Sequence, residues 1–178
     1  MVYLIGGPPR CGKSSLANVL LQKNKVPYLA TDIVVNMLKN VAPELGVTPK
    51  KSFSENAEIF FPYLEQFVEL ARYDENNYCV EGCVIMPKQV TELSKKYKVR
   101  AVFLGFSKLK VEEIMKYMGS NKWMEGKSKK EQRNIKDSII ERSMTVKNEC
   151  EKYGYRYFDM AEGFEKQLEK AYQYLVEN

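Results

Sequence analysis

The chain has 178 residues, the length of one domain, and its 44% hydrophobic and 29% charged content is that of a globular protein and not a disordered one. No run of about 18 apolar residues occurs, so no membrane-spanning helix is expected; the apolar start Val2–Ile5, with no positive region before it, argues against a secretory signal and for a cytoplasmic protein. There is no histidine, which excludes zinc sites and nucleophilic triads built on His, and the four cysteines match no disulfide framework.

In chain order, the apolar run Val2–Ile5 ending in Gly6-Gly7 reads as a buried strand. Residues 13–23 follow as a helix, Pro27–Ala30 as a second strand and 33–40 as a second helix. Ser52 and Glu55 have the spacing of a capping box that opens a third helix, with Phe53, Phe60, Tyr63, Leu64, Phe67 and Ala71 at helical spacing. Pro62 is expected to kink or split that helix. Tyr78–Val84 reads as the third strand, 88–97 as a helix, Val99–Phe106 as the fourth strand and 110–118 as a helix. A basic segment comes next, then a long helix to about Tyr153, a fifth strand at Tyr155–Phe158 and a closing helix at 163–176. Strands that alternate with helices predict a three-layer α/β/α sandwich around a five-stranded parallel sheet, one domain over 1–178, with ligands at the carboxyl ends of the strands.

Gly7-Pro8-Pro9-Arg10-Cys11-Gly12-Lys13-Ser14 fits the phosphate-binding pattern G-x-x-x-x-G-K-[ST], between a strand and a helix as that motif requires. Backbone N–H groups of such a loop turn inward on phosphate oxygens, and the helix that opens at Lys13-Ser14-Ser15 adds the positive end of its dipole. Lys13 is expected on the β- and γ-phosphates and the Ser14 hydroxyl on Mg²⁺. Gly12 supplies a residue without a Cβ where backbone meets ligand. A GTPase would need Asn-Lys-x-Asp, but Asn121-Lys122 is followed by Trp123-Met124, and no Asp-x-x-Gly occurs. A mechanical ATPase would need a second subdomain.

The chain resembles the small P-loop kinases, adenylate kinase and its relatives. The resemblance rests on the phosphate loop, on Thr31-Asp32 followed by Met37-Leu38-Lys39, and on Val80-Glu81-Gly82 followed by Pro87-Lys88-Gln89. It implies a P-loop fold with a lid at the basic segment 116–136, an acceptor-binding region at 33–75, and ATP with Mg²⁺. Nucleoside monophosphate kinases hold the acceptor phosphate with arginines where this chain has Lys39 and Lys88, a change that loses bidentate geometry. The pattern looks closer to the 2-phosphoglycerate kinase, zeta-toxin and chloramphenicol phosphotransferase branch. There the resemblance implies that Asp32 meets the acceptor hydroxyl of a small molecule. The expected function is therefore an ATP- and Mg²⁺-dependent kinase acting on a small-molecule hydroxyl. The alternatives are a nucleoside monophosphate kinase and an ATP-binding regulatory switch with little turnover.

Single residues carry further expectations. Asp32, one of four Asp, is a catalytic and metal-shell candidate, with a helix N-cap as its plain alternative. Glu81 in an apolar strand needs a reason to be buried; the Mg²⁺ shell is that reason, a buried salt bridge the alternative. Arg142 falls on the apolar stripe Ile135, Ile139, Val146, Cys150 of the long helix and needs an anion, either the triphosphate or an internal carboxylate. Arg133 lies on the far side and acts only if the helix breaks there. Lys127, Lys129 and Lys130 fit a phosphate clamp as a group and solvated surface singly. Seven basic against two acidic residues in 116–136 equal the whole net charge of +5, so the basicity is local and no nucleic-acid partner is expected. Cys11, near Arg10 and Lys13 at a helix N-terminus, sits where thiol pKa values fall, or else simply fills the loop; Cys79 and Cys83 read as core. Trp123 is expected at the lid base, and the protein as a monomer or weak dimer.

Overall fold

The computed structural model describes residues 1–46, 51–74, 76–116 and 124–177. Five strands, β1 (Val2–Gly6), β2 (Tyr28–Ala30), β3 (Tyr78–Gly82), β4 (Val99–Gly105) and β5 (Tyr157–Asp159), form one sheet in the order β2-β3-β1-β4-β5. All four pairings are parallel. The helices among the described residues are α1 (Lys13–Asn24), α2 (Thr31–Val41), α3 (Phe53–Ala71), α4 (Pro87–Ser94), α5 (Val111–Lys116), α6 (Lys129–Tyr153) and α7 (Phe164–Glu177). The α/β sandwich expected from the alternation of elements is the observed fold.

Strand period sorts the core into two faces. Ile5, Val102 and Leu104 point to one face with Leu16 and Leu20 of α1 and Leu168, Ala171 and Leu175 of α7. Leu4, Ala101 and Phe103 point to the other with α3, α4 and Val146 and Cys150 of α6. Both clusters are fully apolar and nearly all of their members are less than a tenth exposed.

The sequence signals at α3 and α6 differ in outcome. The Ser52–Glu55 capping box forms as expected, and Pro62 does not split α3, which runs unbroken from Phe53 to Ala71. Pro62 lies on the exposed face, so water can satisfy the carbonyl that its missing N–H leaves free. At α6 a second capping box, Ser128 with Glu131, starts the helix inside the segment expected as a lid. Residues 117–123 of that segment, with Lys122 and Trp123, lie outside the described residues, as do 47–50 and 75 of the 33–75 region. Tyr73 of the aromatic run is exposed and carries the Arg72 guanidinium 4.8 Å from its ring centroid, whereas Phe60 is core.

In the sheet order β3 lies between β2 and β1. Register still brings their carboxyl ends together: Gly6 is level with Gly82, and Ala30 with Glu81. Thr31, fully buried at the first position of α2, then packs on Gly82. A Cβ at Gly82 would land on the Thr31 hydroxyl, a short β-branched group that cannot swing away. Gly82→Ala should therefore destabilise the fold by roughly 1–3 kcal/mol in urea unfolding, and Thr31→Ala in the same chain should restore part of the loss. A neutral Gly82→Ala would remove this packing argument.

Candidate functional site

The phosphate loop joins β1 to α1 by way of left-handed backbone: Gly12, the residue that caps α1, has φ 96° and Arg10 has φ 68°. No side chain caps the α1 N-terminus, so its first N–H groups stay available at the carboxyl edge of the sheet. Pro8 and Cys11 are buried, Pro9, Arg10 and Gly12 are half-buried, and Ser14 and Ser15 are exposed in the first turn of α1.

Lys13 is only 7% exposed. Its Nζ donates to the Pro8 carbonyl at 2.9 Å and lies 3.6 Å from Cys83 Sγ. Burial opposes the ammonium, but the sulfurs of Cys83 and Cys11 and the carboxylates of Glu81 and Asp32 more than offset it, so its pKa lies above the ordinary lysine value. Burial in turn raises both thiols, Cys11 to about 11. At neutral pH both thiols are therefore uncharged. Of the two readings of Cys11 the structure carries the plainer one: the thiol is fully buried and donates to the Pro8 carbonyl at 3.0 Å, filling the loop.

Glu81, 5% exposed on β3, accepts a 2.8 Å hydrogen bond at Oε1 from Ser14 Oγ. Burial raises its pKa, while Lys13 and the Ser14 hydroxyl pull it back down. No ion pair within 4 Å holds Glu81 among the described residues, so the buried salt bridge is not its explanation. Among the described residues no three Cys, Asp or Glu side chains form a ready-made metal shell. That suits a magnesium ion carried in with phosphate oxygens, which needs only one or two protein oxygens and several waters. Ser14 and Glu81, already hydrogen-bonded to each other at the loop, are such a pair.

Asp32 is exposed in the first turn of α2, one residue past Thr31. The cap position is Ala30, with no side-chain cap bond, so Asp32 is not the N-cap. Its negative charge raises the pKa values of Lys13, Glu81 and Cys83, so Asp32 belongs to this electrostatic cluster. Three further polar atoms are buried without a hydrogen-bond partner among the described residues: Thr31 Oγ1, Oε1 of Gln89 on α4, and Oε2 of Glu149 on α6.

Arg142 is half-buried with its guanidinium 4.2 Å over the Phe53 ring, so a stacked aromatic and not a carboxylate is its partner. Arg133 is exposed on an unbroken α6, which removes the helix break its role required. Lys129 and Lys130 are exposed and Lys127 is half-buried. Lys39 is exposed, and Lys88 pairs with Glu58 at 2.7 Å. Cys79 is core as expected; Cys83 is not, being half-exposed beside Lys13. The sequence signal that could have found Cys83 is its place directly after Glu81-Gly82, past the end of the strand.

No family model matches the chain, and no curated protein matches it. Solved structures do match by shape. Shikimate kinase from Bacteroides thetaiotaomicron is 16% identical with a TM-score of 0.60, covering 99% of this chain and 97% of its own. A gluconokinase from Sinorhizobium meliloti is 13% identical with a TM-score of 0.55, over 99% and 91% of the two chains. The YorR protein of Bacillus subtilis, in complex with phosphorylated GDP, is 18% identical with a TM-score of 0.53, over 99% and 96%. The chain has the fold of the small P-loop kinases.

Proposed function

We propose that the protein is a kinase that transfers the γ-phosphoryl group of ATP, with Mg²⁺, to a hydroxyl of a small-molecule acceptor. The observation that carries the reading is the buried Lys13 ammonium within one electrostatic cluster with Glu81 and Asp32, beside a hydrogen-bonded Ser14–Glu81 pair at the foot of the loop. Shape similarity to shikimate kinase and gluconokinase supports a hydroxyl acceptor, as does the likeness to the 2-phosphoglycerate kinase branch. The single lysines Lys39 and Lys88, one exposed and one tied to Glu58, favour it over a nucleoside monophosphate.

In this reading Lys13 exchanges the Pro8 carbonyl for phosphate oxygens, and the backbone N–H groups of residues 10–14 hold the phosphates. Ser14, with Glu81 behind it, would hold magnesium, which would supply charge neutralisation for the transferred group. Asp32 accepts the proton of the acceptor hydroxyl or orients it, since an alcohol is a poor nucleophile whereas a phosphate acceptor is already ionised. Phosphoryl transfer asks the protein mostly for positioning and charge, and this cluster provides both.

Lys13→Ala should abolish acceptor-dependent ADP release in a screen over sugars, phosphorylated acids, nucleotides and antibiotics, while the circular dichroism spectrum stays native. Activity like that of the unmodified chain would remove the whole reading. Asp32→Asn should lower turnover by roughly 10²–10⁴-fold with ATP affinity nearly unchanged, because a positioned base is worth about that much. Near-full turnover in that variant moves the monophosphate reading ahead, and nucleotide binding with no acceptor-stimulated release supports the switch. Cys83, the one cysteine of the four that is not buried, should be alkylated first by iodoacetamide, and ATP should slow its labelling. Equal labelling with and without ATP would place the phosphates elsewhere.

A further inference from the structure

The far edge of the sheet carries a second collection of cations that the proposed reaction does not use. A cavity of about 580 Å³ lies where the edge strand β5 meets α7, lined by Arg156, Phe158, Lys166, Lys170 and Tyr174 among others. An adjoining cavity of about 270 Å³ shares Arg156, Phe158 and Lys170 and adds Lys147 of α6. None of Lys147, Arg156, Lys166 and Lys170 makes an ion pair among the described residues. Glu169 also lines the larger cavity and Asp159 and Glu162 the smaller, each held by hydrogen bonds within the chain. Glu169 accepts from Lys23 and Gln173, Glu162 accepts from Gln167, and Asp159 accepts from the Ser107 and Ala161 N–H groups.

The apolar wall of the larger cavity is a pair of rings. Phe158 and Tyr174 meet edge to face with centroids 6.1 Å apart, and Tyr174 is 38% exposed. Unpaired cations around an exposed aromatic wall suit a planar ring that bears an anionic group. The volume falls in the ~300–1,000 Å³ range of small-molecule sites. β5 lies two strands from β1, about 10 Å across the sheet, and Arg156 precedes β5, at the end of the sheet away from the phosphate loop.

We propose that this groove is a second, non-catalytic nucleotide site, with the base against Phe158 and Tyr174 and the phosphates on Arg156, Lys166 and Lys170. It is independent of the catalytic reading. Equilibrium dialysis of the full chain against ADP with Mg²⁺ should give two equivalents bound per chain, the weaker one lost progressively as salt rises. Arg156→Ala with Lys170→Glu should weaken that equivalent at least about tenfold, because one attraction is removed and another reversed. The tighter equivalent should stay intact. Tyr174→Ala should weaken the second equivalent for ADP but not the binding of inorganic pyrophosphate. All three side chains are at the surface; should the double variant fail to fold, Lys166→Ala with Lys170→Ala takes its place. One equivalent in the unmodified chain, or two that survive both sets of changes unaltered, overturns the proposal. Lys13→Ala, which should affect the tighter equivalent alone, keeps a failure here distinct from a failure of the kinase reading.

Discussion

The structure depends on keeping an ammonium and a carboxylate charged beneath the surface at the carboxyl ends of two neighbouring strands. Lys13 and Glu81 are both more than nine-tenths covered, and neither has a conventional ion-pair partner within 4 Å among the described residues. Each is satisfied by a softer arrangement: a backbone carbonyl and a sulfur for Lys13, and a serine hydroxyl for Glu81. Such contacts compensate only part of the desolvation cost. The raised pKa of Glu81 is the sign of that shortfall. A carboxyl whose folded pKa stands above its unfolded one carries its full cost at any pH above the folded value, and that cost fades as pH falls through the folded value toward the unfolded one. The fold thus gives up stability at this point, as a buried carboxylate without an ion pair does.

The asymmetry of the sheet explains what surrounds those charges. β1 and β3 are neighbours, so the start of α1, which follows β1, lies beside the carboxyl end of β3, where Ser14 reaches Glu81. β2 stands outside β3, and α2 must cross over the end of β3 for Asp32 to reach the same field. Gly82 makes that crossing possible, because Thr31 occupies the space a side chain would have taken. One glycine therefore couples the Asp32 side of the cluster to the Lys13 side. Of three buried polar atoms left without partners among the described residues, two, on Thr31 and Gln89, belong to α2 and α4, the helices that flank the end of β3; the third is Glu149 Oε2 on α6.

Most of this architecture was legible in the sequence because it is periodic. The alternation of short apolar runs with helical stripes gave every strand and helix to within a few residues, and the capping box at Ser52 fixed one start. The phosphate loop was legible because its glycines and lysine obey fixed spacing. What spacing could not convey was contact between distant segments. Nothing in the stripe that includes Arg142 says that its guanidinium would lie over Phe53 in place of a carboxylate. The pairing order that puts β3 between β1 and β2 is a long-range property that spacing does not contain. At Cys11 the charged neighbours pointed to an acidic thiol, and its complete burial decides for the plainer reading, a loop filler with a raised pKa.

The fastening of α6 has a mechanical consequence. Ser143 ties the helix to the sheet, its hydroxyl accepting the Phe106 N–H at 2.9 Å and donating to the Ile139 carbonyl at 2.8 Å. From that clamp the helix continues without a break to Lys129, fourteen residues or roughly 21 Å away at 1.5 Å per residue. A beam held at one end magnifies rotation into translation. A tilt of about 10° at Ser143 would sweep the Lys129–Lys130 end through roughly 4 Å, while Arg142, one residue from the pivot, would hardly move. The same rigid rod therefore offers one cation with a fixed address and, several turns away, a pair with a wide reach.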